Sequence, residues 1–354
     1  MPAAYDPATP ISHWDSGLWS RVLAASGTLN PFTGAPFTEA MLAGLGGGIG
    51  FMIFTFDYKD LTTASIVTRF HPGPYVDNLL RRSGAAVNVQ QTGSAQLAQA
   101  RLDAALDTGV PVVVRVVRGK LPWAAEDPLA DMESMDVAVV ARDAEGYLVD
   151  DGGGRLGRAR AGAQAKARGS RKSDKHWQAH VTAGTGTALT VEVVREAVGE
   201  TVEALLAETA PPGIPQGYAK NFGLAGMTSW AQRLSDTSTK RGWPRIFADP
   251  VRAAQGLGML HGLLVGNRYS GPGALRPLYA QFLREVAAGG GAGVEPSTQV
   301  LADAAEQYEQ LGAHWDRLAT LVGAVREPDF AAMAGAVEAI AALEAEAARS
   351  LRSW

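Results

Sequence analysis

The chain has 354 residues, 46% of them hydrophobic and 19% charged, with a net charge of −4. That length can bury one large core or two ordinary ones, and the balance of charge argues against a nucleic-acid partner, which needs a basic face. With no cysteine anywhere, disulfides, thiolate metal sites and thiol catalysis are excluded together. Residues 1–12 show no basic stretch followed by an apolar one, and no run approaches 18 apolar residues. The expectation is a cytoplasmic protein without a membrane span.

In chain order, residues 19–26 are predicted helical, with Leu18, Val22 and Leu23 on one stripe. Residues 38–42 read as a short helix running into glycines, and 49–56 as an apolar strand. Residues 95–107 form an amphipathic helix closed by Gly109. The valine-rich run 111–117 reads as a buried strand. Two strands, 136–141 and 146–149, are joined by the turn residues 143–146. Residues 152–175, rich in Gly, Arg, Ala and Lys, read as a solvated loop or frayed helix, although their basic side chains could also meet phosphate. A helix over 190–210 is stopped by Pro211, Pro212 and Pro215. Helical periodicity then runs through 224–234, 250–265, 273–286, 297–325 and 328–351. The predicted organisation is an α+β zone over 1–152, a basic loop and connecting helix over 153–215, and a helical zone over 216–354.

The cluster Gly44, Gly46, Gly47, Gly48 and Gly50 fits neither a dinucleotide fingerprint nor a phosphate-binding loop, and a helix precedes it where a strand should. It is expected to serve positive φ or close backbone approach. Cradling an anion with its N–H groups is the alternative.

Several segments together carry a resemblance: His13-Trp14-Asp15-Ser16-Gly17-Leu18, Thr38-Glu39-Ala40, the glycine cluster ending at Phe51, Gly109-Val110-Pro111-Val112-Val113 and Leu121-Pro122-Trp123. This first zone resembles the family of the butirosin biosynthesis protein H N-terminal domain. The later segments resemble the helical domain of unknown function that often follows it: residues 221–226, Gly242-Trp243 with Phe247 and Asp249-Pro250, residues 276–285, and His314-Trp315. The resemblance implies a papain-like fold and acyl transfer from a carrier-protein thioester to an amine in natural-product assembly. It also implies a Cys after the first His, a His opening a later strand, and an acid on the next strand.

The chain departs from that pattern at two of the three positions. Trp14 stands where the nucleophile would be, and Asp136 where the His would be. The acid survives as Asp150 or Asp151. An indole there either plugs a dead site or offers a face to an unsaturated or cationic group. Ser16 is the alternative nucleophile, lacking an evident base. A carboxylate at 136, in a pocket shaped for a neutral ring, is expected to be desolvated and to suit acid–base work with Asp150. His13, Trp14, Asp15, Trp19, Glu39, Arg276 and Tyr279 are the candidate substrate-binding residues. Arg276 and Tyr279 would line a cleft between the domains or simply pack. His176 and His180 have the i, i+4 spacing of two ligands on a helical face, without an evident third, so no metal or cofactor is expected.

Three readings follow. The first is a cyclase-like enzyme that positions a polyketide-like or aminoacyl substrate, free or carrier-bound, with Asp136 and Asp150 moving protons. The second is a non-catalytic scaffold or binding subunit. The third is a serine-dependent acyltransferase using Ser16. A homodimer through the helical half is left open.

Overall fold

The computed structural model describes residues 4–58, 62–71, 73–124, 134–185, 189–289 and 298–354. In chain order the elements are α1 (Trp14–Ala25), α2 (Glu39–Gly46), β1 (Ile49–Asp57), β2 (Thr62–Arg69), α3 (Tyr75–Ser83), β3 (Ala85–Gln90), α4 (Ala95–Leu106), β4 (Val112–Val117), β5 (Ser134–Asp143), β6 (Gly146–Asp150), β7 (Leu156–Ala159), α5 (Ala161–Gly169) and β8 (Gln178–Thr185). They continue as α6 (Val191–Leu206), α7 (Gly223–Ser235), α8 (Trp243–Ile246), α9 (Pro250–Val265), α10 (Arg276–Gly289), α11 (Thr298–Gly323) and α12 (Phe330–Leu351). The architecture is α+β: antiparallel sheets with helices come first, and a mostly helical region follows. Position 297, where the sequence places the start of the α11 helix, lies outside the described residues.

The chain forms two compact units, and they do not follow the sequence zones. One comprises Met1–Thr38 with Ser83–Ala188, the other Glu39–Arg82 with Leu189–Trp354. The segment carrying α2, β1, β2 and α3 is thus drawn into the unit built by the later helices. Its apolar strand explains why: Phe51 of β1 packs 5.9 Å from Trp230 and 6.1 Å from Trp315, ring centre to ring centre.

In the first unit six antiparallel strands lie in the order β3-β8-β4-β5-β6-β7. The period-2 alternation sorts the side chains. Val112 faces Val139 and Val114 faces Val137 across β4 and β5, and these valines share a core with Leu102 and Leu106 of α4 and Ala167 of α5. The opposite face pairs Arg115 with Asp136 in the same register. Ser94 caps α4 by accepting from the Leu97 N–H at 3.2 Å, and Gly109, at φ +81°, follows its end.

The basic stretch is more ordered than its composition suggests. It is not a solvated loop: it forms β7 and α5, and Gln164, Ala167 and Arg168 are buried. Small residues allow close packing without large apolar side chains, as at Gly157, where an added Cβ would lie 2.4 Å from the Trp123 ring. His176 and His180 share no helical face, because His180 lies within strand β8 and His176 precedes it at φ +47°.

In the second unit β1 and β2 pair antiparallel and the core is rich in large aromatics, with Trp230, Trp243, Trp315, Tyr279 and Tyr308 buried. The glycine cluster closes α2: Gly47 donates to the Gly44 carbonyl and Gly48 to that of Ala43, at 3.0 and 2.9 Å. These bonds use the N–H groups an anion cradle would need. Gly48 has φ +63°, and a Cβ there would sit 2.4 Å from the Tyr279 ring, so both conformation and space demand glycine. Among the described residues no helix is long and apolar enough to cross a membrane.

Candidate functional site

The first turn of α1 presents its side chains toward strands β5 and β6 of the same unit. His13 is the residue before the helix, in extended conformation. Trp14 opens the helix, buried, and its indole Nε1 donates to the main-chain oxygen of Asp136 at 2.8 Å. The far edge of the ring lies over Gly152, where an added Cβ would come within 2.3 Å of the indole. The indole thus occupies the space between the helix N-terminus, the 136 position and the turn after β6. It fills the pocket rather than lining it.

Asp136 is locked by its cross-strand neighbour. Arg115 Nε donates to Oδ1 at 2.7 Å and Nη2 to Oδ2 at 3.1 Å, a two-pronged pair. The guanidinium also lies 4.6 Å above the centre of the Trp177 ring. Burial pulls Arg115 down, but the hydrogen bonds and charge of Asp136, with Asp174 and Asp15 behind, outweigh it and hold the group above its ordinary value. Asp136 is buried, and a cation sits directly opposite it.

Asp150 is fully buried, with both of its oxygens accepting hydrogen bonds. Arg21 of α1 donates from Nη1 at 2.6 Å, Tyr5 from its hydroxyl at 2.6 Å, and the Gly152 N–H reaches Oδ1 at 2.8 Å. Arg21 also holds the Thr9 carbonyl, so this one carboxylate ties the N-terminal segment, α1 and the β6 turn together. Burial, then the charge of Asp150, push the Tyr5 hydroxyl well above its usual range. Asp151, next in sequence, accepts from Trp123 Nε1 at 2.8 Å and has Arg118 Nε 3.7 Å away. Asp136 and Asp150 therefore do not form a coupled acid pair. Each has its own arginine.

The remaining predicted residues fall out differently. His13 Nδ1 and Ser16 Oγ are 2.9 Å apart, so the helix turn does supply an imidazole for that hydroxyl, yet both side chains are fully buried. Trp19 is wholly interior and faces no ligand space. Asp15 sits in the first turn of α1, where the helix dipole favours an acid. Glu39 does the same for α2 in the second unit.

Arg276 and Tyr279 are core residues of that unit. Arg276, fully buried, pairs with Glu344 at 2.5 Å and donates to the carbonyls of Gly50, Thr68 and Ala274 at 3.0, 2.9 and 2.7 Å. Tyr279 is enclosed beside Tyr308, ring centres 5.1 Å apart, and burial raises its hydroxyl. Neither presents itself to a ligand. Among the described residues no group of three or more His, Asp or Glu is arranged to hold a metal.

Sequence reasoning missed Tyr5, Arg21, Arg115 and Arg118, the residues that set the electrostatics. Arg115 did leave a signal. It is the single charge in the strand Val-Val-Val-Arg-Val-Val, and a charge inside a buried strand implies a partner opposite.

A family model described as butirosin biosynthesis protein H, N-terminal, matches residues 13–152, and one for a domain of unknown function, DUF4872, matches residues 156–351. The chain belongs to this butirosin protein H-type family. The family is known from butirosin biosynthesis and relates to biosynthetic acyltransferases, and this member has no cysteine. No curated protein matches the chain. The butirosin protein H-type match begins at His13, the residue that enters α1 beside Trp14. The match boundary at 152 also falls on the glycine under the indole ring, so Trp14 and the turn it packs on both lie inside the matched domain.

Proposed function

We propose that this protein is a non-catalytic member of its biosynthetic family, an acyltransferase-type domain retained as a scaffolding or binding subunit that holds a carrier protein or an active paralogue. The observation that carries this reading is the indole of Trp14, seated on the Asp136 carbonyl and over Gly152 where a nucleophile and its acyl group would need room. The two candidate proton carriers support it as well. Asp136 and Asp150 are each held by an arginine, and a paired carboxylate is a poor base because accepting a proton would break the pair. Proton management by these acids, the basis of a cyclase reading, therefore has weaker support.

One observation favours a second reading. The His13–Ser16 contact has the reach of a base and its hydroxyl nucleophile, which is the start of a serine-dependent acyltransferase. Both side chains are fully buried, and attack requires contact with the thioester, so this is the lesser reading. One experiment separates them. The full chain is incubated with an acyl-pantetheine thioester and weighed intact by mass spectrometry. The binding-subunit reading expects no mass increase and no thioester loss above buffer. An acyl adduct mapped to Ser16, absent in Ser16→Ala, would overturn it.

A further inference from the structure

The second unit contains a cavity of about 480 Å³ that the acyltransferase-type site does not involve. That volume is in the range of small-molecule sites. Its walls come from Phe51 of β1, Phe70 after β2, Pro74 and Asn78 of the α3 region, the Glu200, Glu203, Ala204 stripe of α6, and Pro211, Pro212 and Phe222. The α6 stripe has i, i+3, i+4 spacing, and the small Ala204 and Ala207 beyond it leave the space open.

Two polar groups in this apolar chamber lack the partners that buried or apolar-lined positions normally have. Asn78 is 7% exposed and lines the cavity, and its side-chain amide makes no hydrogen bond with any described residue. An amide that faces this space without a protein partner is free to bond a ligand group that enters it. Of the two glutamates, Glu200 is compensated by Arg82 at 2.7 Å. Glu203, exposed at the mouth, is ion-paired with no described residue.

We propose that this cavity binds a small organic cation with an apolar or aromatic body. The phenyl and proline walls take the body, the Asn78 amide reads a polar group on it, and Glu203 faces the protonated nitrogen. The uncompensated carboxylate rejects anions, and the apolar walls reject heavily hydroxylated molecules, which could not satisfy their hydrogen bonds there. The inference stands on the second unit alone and is independent of the closed site in the first.

The test is isothermal titration of the full chain with 3-phenylpropylammonium, against 3-phenylpropanol, 3-phenylpropionate and glucosamine as comparators. The ammonium is expected to bind saturably and about tenfold more tightly than the alcohol, equivalent to about 1.4 kcal/mol, with the anion and the sugar weaker still. Glu203→Gln should erase the preference for the cation over the alcohol. Asn78→Leu should weaken binding without lowering the melting temperature of the free chain, since the amide has no protein partner to lose. A residue with a purely structural role would not give that pair of effects. The proposal is overturned by absence of saturable ammonium binding, by equal affinity for ammonium and alcohol, or by Asn78→Leu lowering the melting temperature with ligand affinity unchanged. None of these outcomes bears on acylation at Ser16, so the two readings fail separately.

Discussion

Asp150→Asn distinguishes a structural acid from a catalytic one. The replacement keeps size and shape, and the carbonyl oxygen can still accept from Gly152, while the amide nitrogen stands where Tyr5 and Arg21 donate. What it removes is the charge opposite Arg21, whose guanidinium is buried on a partner that is itself fully buried. Taking away one member of a buried pair leaves the other charge uncompensated, at a cost of about 3–5 kcal/mol. At about 2–4 °C per kcal/mol for a chain of this size, the first unit should melt roughly 6–20 °C lower. Differential scanning calorimetry reads this directly. Arg21→Met with Asp150→Leu should recover most of the loss, because well-packed apolar side chains often replace a buried ion pair at little cost. An unchanged melting temperature for Asp150→Asn would refute the assignment of this carboxylate as the tie between the N-terminal segment, α1 and the β6 turn.

Glu344→Gln should act on the second unit in the same way. It strands Arg276, which has no other carboxylate partner among the described residues and lies 5.0 Å from the Trp315 ring centre. A loss of about 3–5 kcal/mol is expected in urea denaturation, and an unchanged midpoint would count against it. His180 supplies a pH dependence. Burial lowers its pKa, so the folded state holds it neutral while the unfolded chain takes up a proton near the ordinary value. Its contribution is therefore present above about pH 6.5 and is lost as the pH falls below that. The urea midpoint should drop between neutral and mildly acid pH, and His180→Gln should flatten that part of the curve. An identical slope in the variant would remove His180 from the account.

The helices of the second unit were largely legible from sequence because their signals are local. The residues 250–265 helix opens on Pro250 after an aspartate cap and coincides with α9, and the 95–107 pattern matches α4 to within a residue. Strand β2, Thr-Thr-Ala-Ser-Ile-Val-Thr-Arg, was not read, since its mixed polar and β-branched residues carry no sharp alternation. The interleaving of the two units was not legible either, because it depends on Phe51 meeting Trp230 and Trp315 far along the chain. The site divides the same way. The motif around His13 pointed to Trp14, and the family resemblance pointed to Asp136 and Asp150. The arginines that neutralise these acids sit 21 and 129 residues away, beyond the reach of any local pattern.

The side chains at 14 and 136 are held by different partners. The indole at 14 bonds the main chain of residue 136, a contact any side chain there would allow. The carboxylate at 136 answers instead to Arg115 across the sheet. A histidine at 136 would place an imidazole against that guanidinium, and the nearby cation would disfavour its protonated form, the form a thiolate–imidazolium pair needs. Restoring a thiol at 14 alone would leave it without an imidazole at position 136 to take its proton. It would also empty the space of an indole, at about 3–5 kcal/mol for a comparable truncation. A single reversal at 14 therefore does not rebuild the set of thiol, imidazole and acid that the resemblance implies.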